Sequence, residues 1–206
     1  MTTFLLIRHG ETDAVGKSIM GWRPGWHLNG NGRKQAERLA ARLERLPIQA
    51  IYTSPLERAV ETANAVGKPH GIEPRPDPEL GEVQFGEWEG MTIAELDQRD
   101  DWRRYNHFRA GTRPPGGELM LETQARMIRK AQALALEHPG GTVGIVSHGD
   151  PVRALLAFYL GIPIDMILRF EISPASLSVL ELSEWSARVV CMNSGADDLV
   201  VSPGEA

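Results

Sequence analysis

The sequence predicts an α/β protein, a three-layer α/β/α sandwich on a mainly parallel central sheet. Short apolar runs, FLLI at 4–7, AIYT at 50–53 and TVGIVS at 142–147, have the length and composition of buried strands. Each is followed by a segment in which apolar residues recur at helical spacing. Strands that alternate with helices in this way cross over to parallel neighbours.

The elements follow in chain order. The first run ends at Arg8-His9-Gly10, and a loop rich in Gly, Trp and Pro continues to about Gly32. GRKQAERLAARLERL then sets Ala36, Leu39, Ala40, Leu43 and Leu46 on one helical face. After the second run, Ser54 reads as an N-cap, Pro55 as the first helical residue and Glu57 as the capping-box partner. Gly67 is placed to end that helix. Four prolines within 68–78 mark a connector, and residues 79–117 are the least regular stretch. One helix is expected there, opening at Thr92 with Glu95 as its capping partner. Helix resumes at 119–137, with Leu121, Ala125, Ile128, Ala131 and Ala135 expected on its buried face. Behind the third run, Asp150 and Pro151 read as cap and first-turn residue of a helix that Gly161 closes. SLSVLEL and RVVCM flank SEWSA as a hairpin. Residues 1–206 thus read as one domain, with a cap-like insertion at about 83–117.

The bulk properties narrow the function. At 206 residues with 42% hydrophobic content, the chain can bury a core without staples. Its formal charge of −5 argues against nucleic acid or an anionic membrane as partner. The single cysteine, Cys191, allows no internal disulfide and suits a reducing cytoplasm. It reads as a small buried strand residue rather than a catalytic thiol. The N-terminal apolar run is too short for a signal sequence, and no segment has the length of a membrane span. A cytoplasmic protein is expected, and oligomeric state stays open, a homodimer included.

Ligand sites in parallel α/β sheets lie outside the carboxyl ends of the strands. Three predicted strands end at Arg8-His9-Gly10, Thr53-Ser54-Pro55 and Ser147-His148-Gly149. Convergence there brings His9, His148 and Arg8 together, with Arg58 one turn into its helix. Guanidiniums match phosphate oxygens, and helix N-termini such as that at Gly149 supply backbone N–H groups to an anion. A neutral histidine beside arginines can act as nucleophile. Each residue alone also fits a bland role: a hydrogen-bonded loop histidine, or a solvated helix arginine. Their joint occurrence points to phosphate chemistry.

The runs RHGET, SPLERAVETA, ELGEVQFGEWEG and VSHGD, in this order over about residues 4–160, resemble the histidine phosphatase superfamily, the phosphoglycerate mutase-like family. The resemblance implies that His9 is the phosphorylated nucleophile and that Arg8, His9, Arg58, His148 and Gly149 hold the phosphate. It implies that Glu82, four residues before Gly86, is the general acid, where spacing alone leaves Glu79, Glu87 and Glu89 as rivals. Trp22 and Arg23, in the loop before the first long helix, are implied to shape the substrate pocket, while an exposed tryptophan there equally fits a loop anchor. Ala14 and Val15 stand where the family often carries Trp-Asn, the asparagine touching phosphate, and Leu119 stands where a serine is common.

Mutases of the family carry an arginine directly after the acid, and here that residue is Val83. Arg103-Arg104-Tyr105 echoes a mutase segment, though two arginines on a charged helix also fit a solvated face. The expected function is therefore phosphomonoester hydrolysis of a small phosphorylated metabolite, with no cofactor and no metal. Alternatives are mutase-type phosphoryl transfer, a metal-dependent hydrolase built on His9, His148 and a carboxylate, and a non-catalytic phospholigand-binding module.

Overall fold

The apolar runs become strands whose alternate side chains face two helical layers. The computed structural model describes residues 1–195. In chain order it contains β1 (Thr2–Arg8), α1 (Gly30–Leu43), β2 (Ile48–Thr53), α2 (Glu57–Gly67), β3 (Arg75–Pro76), α3 (Ile93–Leu96), α4 (Asp100–His107), α5 (Met120–Glu137), β4 (Thr142–Ser147), α6 (Gly149–Leu160), β5 (Leu177–Leu182) and β6 (Ala187–Ser194). The six strands form one sheet in the order β3-β2-β4-β1-β5-β6. β1 to β4 pair in parallel, and the β5–β6 hairpin adds antiparallel to β1. This is the expected α/β fold with a mainly parallel sheet.

Phe4 and Leu6 point to one side of the sheet, where they meet Met127, Ala131 and Leu134 of α5 and Val152, Leu155 and Leu156 of α6. Leu5 and Ile7 point to the other, against Leu39 and Leu43 of α1 and Ala59, Ala63 and Val66 of α2. The period-two alternation of a strand thus serves both layers at once. A third cluster lies in the irregular segment: Val83, Phe85, Trp88, Leu96, Trp102 and Tyr105 pack together and against Ala154 and Ala157 of α6. Trp88 meets Trp102 and Tyr105 edge-on, at centroid distances of 5.4 and 5.3 Å.

Several local expectations are corrected. α2 begins at Glu57 behind Leu56, without a side-chain cap. The Ser54 hydroxyl is engaged elsewhere, accepting from Leu56 N–H at 3.3 Å and meeting His148 Nε2 at 2.8 Å. Glu57 instead accepts from Gly25 N–H. His148, not Asp150, stands at the start of α6, because the Asp150 carboxylate pairs with Arg109 at 2.7 Å and Arg153 at 3.0 Å. α5 buries Met120, Thr123, Met127, Ala131 and Leu134, a face rotated from the expected one, and leaves Leu121 and Ala125 exposed. That face carries the larger methionine and leucine side chains, so it removes more apolar area from water. The Thr92–Glu95 capping box forms as expected. Cys191 is half-buried on β6, against the second cluster.

Candidate active site

Three adjacent parallel strands, β2, β4 and β1, end on the same edge, where Arg8 pairs in register with Ser147 and Thr53 with Val146. The residues that follow them are His9, Ser54 and His148, so the expected convergence is observed. Gly10 is required by packing: a Cβ there would lie 2.6 Å from the Gly32 carbonyl at the start of α1. Its N–H donates to Thr62 of α2 at 3.0 Å, which ties the His9 turn to two helices.

His9 is buried, and its Nδ1 lies 2.7 Å from the Gly10 carbonyl. A carbonyl only accepts, so Nδ1 carries the proton and a neutral ring keeps its lone pair on Nε2. Burial first, then Arg58 and Arg8, hold the imidazole well below its ordinary value. Sequence reasoning looked to the arginines for this neutrality; loss of water is the larger cause. His148 is fully buried with its ring centroid 5.0 Å from that of His9, and burial and Arg58 likewise depress it.

Arg8 donates to the Ile172 carbonyl at 2.6 Å, and Arg58 to the Gly21 carbonyl at 2.9 Å. Arg8 Nε, Arg58 Nη1 and His148 Nδ1 are buried without a hydrogen-bond partner among the described residues. Unpaired buried donors are rare and costly. Arg8 and Arg58 line one cavity with His9, and their unpaired N–H groups are suited to an anion; His148 Nδ1 is a further donor when Ser54 donates to Nε2.

Glu82 faces the same cavity, which encloses about 180 Å³, with Arg8, His9, Arg58 and Gly149 among its lining residues. One carboxylate oxygen accepts from Val83 N–H at 2.9 Å, and the other lies 3.8 Å from His148 Nδ1. Burial and then Asp150, opposed by Arg58, push its carboxyl up to about 7. The rivals fall away. Glu79 pairs with Arg129 on the surface, Glu87 is exposed, and Glu89 accepts from Phe85 N–H; none lines the cavity. Gly86, at φ 57°, makes the turn after Glu82, where a Cβ would meet the Pro115 carbonyl at 2.1 Å.

Trp22 and Arg23 do not line the cavity, in contrast to the expectation. Trp22 donates its indole N–H to the Glu82 carbonyl at 2.6 Å and so holds the Glu82 backbone in place. Arg23 is exposed, beside Gly90. Val15 does line the cavity and offers no polar group where the family's asparagine would stand.

Sequence reasoning missed Ser54, which it read as a cap, although its place beside the other two strand ends was a usable signal. It also missed Arg126, which donates to the carbonyls of Glu79, Gly81 and Glu82 at 2.6, 2.9 and 3.0 Å while pairing with Glu118 at 2.8 Å. Asp150 and Arg153 complete the rim. The described residues contain no group of three or more His, Cys, Asp or Glu placed to hold a metal ion, and no helix long and apolar enough to cross a membrane.

The chain is similar to known proteins. A bifunctional protein of Mycobacterium tuberculosis is 34% identical over 183 residues, 87% of this chain and 50% of its own. The chain therefore spans about half the length of the curated relatives that it matches at this identity. A protein named "Probable phosphoglycerate mutase GpmB" from Escherichia fergusonii is 33% identical, over 91% of this chain and 89% of its own. Among solved structures, YhfR of Bacillus stearothermophilus superposes with a TM-score of 0.89 at 32% identity, covering 94% of this chain and 98% of its own. A mycobacterial glucosyl-3-phosphoglycerate phosphatase in complex with VO3 gives 0.85 at 29%, covering 94% and 99%. A family model, histidine phosphatase superfamily (branch 1), matches residues 4–195. With its fold, its histidine pair and this match in agreement, the chain belongs to branch 1 of the histidine phosphatase superfamily.

Proposed function

We propose that this protein hydrolyses phosphomonoesters through a phosphohistidine intermediate on His9. The observation that carries the reading is a cavity in which Arg8 and Arg58 keep unpaired buried N–H groups beside a neutral His9, with His148 in ring contact and the Glu82 carboxyl pushed up to about 7. His9 Nε2 attacks phosphorus in line, and the bond from phosphorus to the leaving oxygen breaks. The Glu82 carboxyl gives its proton to that oxygen, and the alcohol departs. Glu82, now ionised, takes a proton from water as the water attacks phospho-His9, which releases inorganic phosphate and restores both side chains. Arg8, Arg58, His148 and the α6 N-terminus at Gly149 stabilise the phosphoryl oxygens throughout.

Hydrolysis is favoured over mutase transfer by position 83. Val83 is fully buried in the third apolar cluster, so the residue after the acid turns away from substrate. We assign segment 83–117 as a cap over the site, on the evidence of its separate cluster packed on α6.

The test is labelling with a phosphorylated substrate. An acid-labile, base-stable phosphoenzyme is expected in the wild type and none in His9→Ala, with full activity retained after chelator treatment. Equal labelling of His9→Ala, or loss of activity with chelator, would overturn the scheme.

A further inference from the structure

We infer that the substrate carries one anionic group, its phosphate, on an uncharged alcohol, and that Asp150 and Glu171 enforce this by withholding Arg153 from substrate. The inference rests on the phosphatase reading and narrows it to a substrate class.

The charges of the cavity are nearly all spoken for. Three arginines line it: Arg8, Arg58 and Arg153. Arg153 donates to Asp150 at 3.0 Å, to Glu171 at 2.9 Å and to the Phe170 carbonyl at 3.1 Å. Two carboxylates therefore hold its guanidinium in place. Arg8 and Arg58 bond only to backbone carbonyls and keep unpaired buried N–H groups. Two such guanidiniums match a single phosphate dianion.

The rest of the wall offers a second anion no unpaired cation. Beyond the phosphate seat the cavity is lined by the apolar Ala14, Val15, Ile19, Met20, Phe85 and Ile93, with Thr12 and Ser18 as its uncharged polar side chains. A carboxylate or second phosphate placed there would lose water and meet neutral hydroxyls but no unpaired cation. An uncharged alkyl or aryl group would instead bury apolar area against those side chains. Phosphorylated acids and bisphosphates are thus disfavoured relative to neutral-alcohol phosphates.

The experiment compares hexyl phosphate with the same ester bearing a terminal carboxylate. The two share a primary leaving oxygen, so Glu82 performs the same task on each. The wild type should favour the neutral ester by about tenfold or more in kcat/KM, the discrimination expected when a charged group is left unpaired. Glu171→Gln, a change on a mostly exposed side chain, releases Arg153 Nη2 while Asp150 keeps Nη1, and should narrow that ratio by about threefold or more. Taking the ratio removes any general gain for the phosphate. Equal or better hydrolysis of the carboxylated ester by the wild type overturns the inference. A wild-type preference that Glu171→Gln leaves unmoved overturns the role given to Arg153. If neither ester is hydrolysed and no phosphoenzyme forms, the phosphatase reading falls and takes the inference with it.

Discussion

Glu82→Gln should make the protein more stable at neutral and alkaline pH, by an amount that the site geometry allows to be worked out. The Glu82 carboxyl is pushed up from its ordinary 4.5 to about 7, chiefly by burial. The folded state therefore prefers the protonated acid, and its stabilising effect is complete below about 4.5 and lost as pH rises through about 7. At about 1.36 kcal/mol per pH unit, the full swing is on the order of 3 kcal/mol, of which about 2.5 falls between pH 5 and pH 8. The side chain is only 17% exposed, so solvent screening takes little from this. Glutamine keeps the shape and does not titrate. Urea unfolding of wild type and Glu82→Gln at pH 5 and pH 8 isolates the effect, because other titrating groups cancel in the difference. The variant should gain about 2.5 kcal/mol relative to wild type between the two conditions. A difference that stays constant with pH would mean that Glu82 is ionised throughout in the folded protein, and the general-acid assignment would lose its physical basis.

The catalytic counterpart is leaving-group dependence. Glu82→Gln should lower kcat by about 10²–10⁴ for alkyl phosphates and far less for activated aryl phosphates, and an equal loss on both would move the acid role elsewhere. Ser54→Ala removes the hydroxyl that holds His148 Nε2 at 2.8 Å, and kcat should fall by about 10–100-fold with KM little changed. Unchanged phosphoenzyme formation in a rapid-quench assay would show that His148 needs no such support. Arg126→Met strips Glu118 of its charged partner and three carbonyls of a donor in a region where both side chains are 12% exposed, at a cost of about 3–5 kcal/mol in urea unfolding. The double variant with Glu118→Met should recover part of that loss, and a more damaged double variant would contradict the buried-pair account.

Much of this molecule is legible in its residue order. The strands of the sheet that carry the site follow from short apolar runs, because burial on both faces demands them and the pattern is local. The meeting of His9, Arg8, Arg58 and His148 is legible for a related reason: they sit at or beyond strand ends, and a parallel sheet gathers its carboxyl ends on one edge. The choice of Glu82 came from resemblance. Four glutamates between 79 and 89 are equivalent by spacing, and only burial separates the one in the cavity from those paired or exposed on the surface.

The errors have a common physical origin in contacts between distant residues. Ser54 satisfies the local signature of an N-cap, but its hydroxyl is claimed by His148, 94 positions away. Asp150 fits a cap equally well and is claimed by Arg109 and Arg153. Trp22 stood in a loop expected to touch substrate and instead reaches 60 positions along the chain to the Glu82 backbone. α5 turned its buried face by about one residue because Met120 enters a cluster formed by the irregular segment, which no periodicity within α5 records. Local pattern decides which residues leave water and which strand ends meet. The hydrogen-bond partner of each polar side chain is decided only when the layers close, because desolvated donors and acceptors must then pair with whatever the packing brings within reach.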